Sequence, residues 1–140
     1  MLHFAARREH LARTIRPALE AGIWVVCDRF ADSTLAYQGA GQGLDRTVWR
    51  TLADVALDGL WPDLTLILDL PVETGMARAA GRSVADRYES LGAAFHERVR
   101  ASFLRTAAEE PQRCAVLDAA RDPDAVFSDI LATVRARVPA

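Results

Sequence analysis

Three short apolar runs, at residues 23–27 (Ile-Trp-Val-Val-Cys), 64–70 and 114–117, are each too short for a helix and are separated by stretches with helical spacing. Such runs read as strands covered on both faces, and strands that alternate with helices build a parallel sheet with both faces covered. The helices between them can be placed from their end signals. Residues 2–20 carry apolar positions at Leu2, Ala5, Ala6, Leu11, Ile15, Ala18 and Leu19, with Gly22 as the stop and Pro17 predicted to kink the last turn. Asp45 caps a helix to about residue 57, ended by Gly59 and Pro62, and the glycines at 39, 41 and 43 mark the loop before it. A short helix follows Pro71 to about residue 80, and a long one spans roughly 90–109. The last begins at Asp122-Pro123, with aspartate as the cap and proline in the first helical position.

With 51% apolar and 26% charged residues, 140 residues suffice for one core, so residues 1–140 are expected to form a single domain without linker or repeat. A net charge of −2 provides no basic field, which argues against nucleic acid as a partner. No apolar run approaches the ~18 residues that span a membrane. His3, Arg7, Arg8 and Glu9 interrupt the N-terminal apolar positions, so no secretory core is present and a cytoplasmic protein is expected. Cys27 and Cys114 lie inside apolar runs and are predicted to be buried, reduced thiols. His10 and His96 sit in helical stretches among charged neighbours, and no nucleophile with a poised base is evident.

The first strand ends in polar chemistry. Asp28 and Arg29 stand at its carboxyl end, where α/β sheets bind ligands, although such a pair also reads as an ion pair capping the next helix. The twelve residues Asp28-Arg29-Phe30-Ala31-Asp32-Ser33-Thr34-Leu35-Ala36-Tyr37-Gln38-Gly39 resemble the nucleoside-monophosphate signature of thymidylate kinases, which phosphorylate dTMP to dTDP with ATP. The order of helices, strands and loops follows that family along nearly the whole chain. The resemblance implies an α/β fold, a three-layer parallel sheet of the P-loop nucleoside-monophosphate kinase type. It also implies Mg2+ with ATP as phosphoryl donor, dTMP as acceptor, and a homodimer paired through helices such as those at 2–20 and 45–58.

One part of that family pattern is not in the sequence. Its phosphate loop, G-x-x-x-x-G-K-[ST], cradles the anion with backbone N–H groups while the lysine reaches the terminal phosphates. All 17 basic residues here are arginine. The fold is therefore expected to lack the family's first strands and phosphate loop, to turn over ATP poorly by itself, and to expose apolar sheet edge.

Site residues follow from the resemblance by position. Arg29 would grip the acceptor phosphate, which suits a planar fork that stays charged at any working pH. Asp28 would orient that fork and touch Mg2+ through water. Thr34 would contact thymine, and Tyr37 would lie against the deoxyribose; core packing for Tyr37 and helix capping for Ser33 and Thr34 are the plainer readings. Without gaps, the base-stacking residue falls at His3 and the arginine for a base carbonyl at Arg7, while Phe4 with Arg8 has the same spacing. Residues 78–89 resemble the lid that closes over ATP. There Arg82 and Arg87 would neutralise charge on the transferring phosphoryl group, whereas Arg78 is predicted to make a surface pair. Asp86 reads as a junction residue or a cap. Residues 117–121 resemble the segment lining the adenine pocket, with Arg121 either stacked on adenine or exposed. Three function classes compete: dTMP phosphorylation, a non-catalytic nucleotide-binding or assembly module, and a different nucleoside-monophosphate kinase, against which Ser33, Thr34 and Tyr37 argue.

Overall fold

A computed structural model describes residues 2–80 and 91–138 and divides the chain into two compact units, Met1–Trp61 and Pro62–Ala140. It is α/β with a parallel sheet.

In the first unit α1 (Leu2–His10) runs through a π-helical turn, Leu11–Ile15, into α2 (Arg16–Glu20). The adjustment to Pro17 thus comes a turn earlier than predicted. The proline ring crowds the carbonyl four residues back, and a widened turn ahead of it relieves the clash. Phe4, Leu11 and Ile15 form the buried stripe of this helix. They join Trp49, Ala53, Ala56 and Leu57 of α4 (Arg46–Leu57), together with Ala31 and Leu35, in one core. Asp45 caps α4 as expected, accepting from the N–H groups of Thr47 at 2.8 Å and Val48 at 3.2 Å. At the other end Asp58 is left-handed, and the Arg16 guanidinium donates to the carbonyls of Leu57 and Asp58, satisfying acceptors that the helix leaves free.

Between these helices α3 (Ala31–Thr34) continues as a second π-helical turn, Leu35–Ala40. The winding persists through Gly39, where a loop was predicted. Gly39 is packed so closely that an added Cβ would meet Leu35 Cδ1 at 3.2 Å, so glycine here serves contact rather than a turn.

The first predicted strand does not form. Residues 23–27 belong to no ladder, and Val26 is 95% and Trp24 61% exposed. Only Val25 leans on the core, and Cys27 is exposed rather than buried. A strand needs a neighbouring edge for its N–H and C=O groups, and among the described residues of this unit there is none.

In the second unit β1 (Thr65–Asp69) and β2 (Cys114–Asp118) pair in parallel, from Thr65 opposite Cys114 to Asp69 opposite Asp118. They are joined by α5 (Val72–Ala80) and α6 (Ala93–Glu109), and α7 (Pro123–Arg137) follows β2. Phe103 and Ala107 of α6 cover Ile67 and Cys114, so this thiol is buried as predicted. Successive side chains alternate between faces, and Leu68 and Val116 remain exposed. Val116 lies opposite the buried Ile67 and shares its face, whereas Leu68 lies on the other, so each face of the pair keeps one exposed apolar residue. Asp122 caps α7 by accepting from the Asp124 N–H, with Pro123 at the first helical position.

The Trp49 indole N–H donates to the Ala31 carbonyl at 3.2 Å inside the first core. Trp49→Phe keeps most of the ring and removes this bond, leaving the Ala31 carbonyl with the Leu35 N–H, so it should lower unfolding free energy in a urea titration by about 1 kcal/mol.

Candidate functional site

The polar turn after residues 23–27 is built around a backbone exception. Arg29 has φ 67°, a left-handed conformation that costs a non-glycine residue about 1–2 kcal/mol. Its neighbours hold it there. The Phe30 carbonyl accepts from the Arg7 guanidinium at 3.0 Å and from the Ser33 N–H at 3.2 Å, and the Cys27 thiol donates to the Arg29 carbonyl at 3.4 Å. Arg7 also donates to the Thr34 hydroxyl at 3.2 Å, and its guanidinium lies 5.6 Å from the Phe4 ring and 5.3 Å from the Phe30 ring. With Ala31 fixed by Trp49, the turn is pinned from both α1 and α4.

The Arg29 side chain itself is exposed and lies over the Tyr37 ring, 5.0 Å from its centre. It makes no ion pair among the described residues, so the Asp28–Arg29 pair considered from sequence is not formed. Asp28 is exposed, and α3 has no side-chain cap. Thr34 is buried and receives the Arg7 bond instead. A cation held over an aromatic face and exposed to solvent suits an oxyanion that can present two oxygens to its planar fork.

Arg7 is half-buried, and burial pulls its guanidinium below its ordinary pKa while Cys27 and Asp32 act in the opposite sense. An arginine remains charged through such a shift. Asp32, only 4% exposed, is a residue that sequence reasoning missed. Its sole signal was an acid among small residues in the first turn of a helix, which reads as a cap. Of the two registers for the base contacts, Phe4 is committed to the core at 5% exposure and Arg8 pairs with Asp58. His3 is exposed on α1.

In the second unit, polar groups gather at the carboxyl ends of the strands. Arg78 does not make the predicted surface pair. Its fork donates to the carbonyls of Ala119 at 2.9 Å and Ala120 at 3.2 Å. The Ala119 N–H donates to the Asp69 carbonyl, and Asp118 accepts from the Ala120 N–H. Arg121 is paired with Asp129. Asp69 receives both bonds of an Arg100 fork, at 2.7 and 2.8 Å. Arg82, Arg87 and Asp86 lie outside the described residues, as does the lid beyond residue 80.

A family model described as thymidylate kinase matches residues 1–130. The chain belongs to the thymidylate kinase family. It is 53% identical over 131 residues to the thymidylate kinase of Chromobacterium violaceum and 54% identical over 130 residues to that of Pseudomonas putida. These alignments cover 94% and 93% of this chain and 62% of each relative, so the chain spans under two thirds of their length. A crystal structure of thymidylate kinase from Ehrlichia chaffeensis superposes with a TM-score of 0.73 at 34% identity, over 94% of this chain and 60% of that one. Among the described residues no helix is long and apolar enough to cross a membrane, and no group of three metal-ligating side chains converges. Asp28 is a single exposed oxygen donor, the kind of group that Mg2+, which keeps most of its waters, can meet through one of them.

The hydrogen-bonded Arg100 fork holds the Asp69 carboxyl below its ordinary pKa, against the opposing effect of burial. The unfolded chain therefore takes up this proton at higher pH than the folded one. The pair's stabilisation should be complete above about pH 4 and vanish as pH falls through the depressed value. Urea midpoints measured from about pH 6 down to 2.5 should decline less steeply for Asp69→Asn than for the parent chain.

Proposed function

We propose that this chain provides the acceptor-binding part of a thymidylate kinase, holding dTMP for phosphorylation by ATP. The observation that carries the reading is Arg29: an exposed guanidinium over Tyr37, without a carboxylate partner among the described residues, on a turn fixed before any ligand arrives. In the reaction an oxygen of the dTMP phosphate attacks the γ-phosphorus of ATP, a new P–O bond forms, and ADP leaves with the bonding pair. Both reactants are anions, so a cation on the acceptor phosphate lowers the cost of their approach. Arg29 would supply that cation. Tyr37 would flank the sugar and His3 would face the base.

Mg2+, when bound with ATP, would neutralise donor phosphate charge. Arg82 and Arg87 would act on the same phosphates, and Arg121 would border the donor base. The 118–121 turn, tied by Arg78 and Asp118, supports a donor-side role for the second unit. A cytoplasmic homodimer is part of the same reading, with Val48 and Val55 on α4 as exposed apolar positions for pairing. For the chain by itself, the lack of any lysine favours a nucleotide-binding module without turnover.

Calorimetry with dTMP, dUMP and dCMP tests the acceptor role. Binding of dTMP should be the tightest, and Arg29→Ala should weaken it about tenfold or more, the loss expected for hydrogen bonds to a charged group. Unchanged affinity would exclude Arg29 as the phosphate ligand. In a polypeptide that also carries the phosphate loop, Arg82→Ala and Arg87→Ala should each lower kcat by about tenfold or more with smaller effects on KM, measured by ADP release.

A further inference from the structure

We propose that Arg7 is a positioning residue for the phosphate grip: wedged between the Phe4 and Phe30 rings, it bonds the Phe30 carbonyl and Thr34 hydroxyl and so keeps Arg29 in its left-handed conformation. This rests on reading Arg29 as the phosphate ligand. It is a role beyond the base contact that family resemblance implies for Arg7: two bonds of the fork go to the protein, out of the five N–H groups that a guanidinium carries.

A left-handed arginine needs a restraint, since its backbone gains by relaxing to negative φ. Of the contacts on the turn, the Ser33 N–H bond is local, three residues away, and would survive a change of φ at residue 29. The Cys27 thiol is a weak donor at 3.4 Å. Arg7 reaches the turn from another helix, 23 residues distant in sequence, and bridges its last carbonyl to α3. The platform beneath it is firm. Phe4 lies one turn away on α1 and is buried in the core with Leu11 and Ile15, and the two flanking rings leave the guanidinium little freedom to lose when it bonds. Release of this bridge would let residue 29 relax and swing its own fork out of register, a loss additional to that of any base contact. The loss should fall on the phosphate-dependent part of affinity.

That separation can be measured on the full chain by titrating dTMP and thymidine, the same ligand without its phosphate, and comparing their Kd values. In the parent chain thymidine should bind at least about tenfold more weakly than dTMP. Arg7→Met, which keeps an apolar stem between the rings, should bring that ratio down towards the Arg29→Ala value, over and above any loss that thymidine and dTMP share, and combining it with Arg29→Ala should reduce the ratio no further. NMR on the ligand-free chain should show the strong intraresidue HN–Hα contact of a left-handed Arg29 weakened in the variant. Equal weakening of thymidine and dTMP, with the ratio preserved, would overturn the proposal and leave Arg7 a base contact alone. If Arg7→Met does not fold, Arg7→Lys, which keeps the charge but not the planar fork, should still reduce the ratio severalfold, and an unreduced ratio would overturn it equally. A parent ratio near one would instead show that Arg29 holds no phosphate, so the acceptor reading fails and the positioning role with it.

Discussion

Of the two left-handed non-glycine residues described in the first unit, Arg29 and Asp58, the first organises its polar turn. Arg29 sits at φ 67°, and the residues that follow it are fixed by groups from two different helices: Arg7 of α1 on Phe30 and Thr34, and the Trp49 indole of α4 on Ala31. Those helices can act together because Phe4, Leu11, Ile15, Trp49, Ala53 and Leu57 share one core. Hydrophobic packing thus sets the relative placement of two polar anchors, and the anchors set the direction in which one cation leaves the turn. Weakening the core would reach the site through that route, without touching any group that meets a ligand.

The chain's exclusive use of arginine has a structural side. Arg16 donates to the last carbonyls of α4, Arg78 to two carbonyls after β2, and Arg137 to the carbonyls of Pro111 and Cys114. Each joins distant segments by donating to two backbone acceptors, which a planar array of donors does at less entropic cost than a flexible ammonium. Arg100 does the same for a carboxylate. Against these committed forks, Arg29 differs in kind. Its guanidinium is exposed over the Tyr37 ring and forms no ion pair among the described residues.

What the sequence made legible was local. The caps Asp45 and Asp122, the position of Pro123, and the strands at 65–69 and 114–118 all depend on residues within a few positions of one another, and they formed where expected. The failures depend on partners. Apolar composition at 23–27 reports a tendency to be covered, whereas pairing requires an edge, and exposure of Cys27 follows from that missing ladder. The same holds for the candidate site. The order of Asp28, Arg29 and Tyr37 could be read, and Tyr37 does meet Arg29, but the Arg7 bridge spans 23 residues to Phe30 and the Arg78 fork spans 41 to Ala119, separations at which no periodicity speaks. Burial of Asp32 was equally hidden, because only the tertiary core distinguishes a buried acid from a capping one.

The unpaired run and the organised turn stand next to each other, and their independence bears on function. Residues 23–27 have apolar faces suited to cover that the described residues do not provide, so the pairing state of this run can vary with what lies beside it. The turn at 28–30 takes its restraints from α1 and α3, with α4 fixing the next carbonyl, all inside the same unit. Its geometry therefore does not wait on the run being paired. On the proposed role of Arg29, binding of an acceptor phosphate would be separable from phosphoryl transfer: the first would need only a preorganised cation, and the second also donor phosphates held in line by groups such as a lysine, which this sequence does not contain.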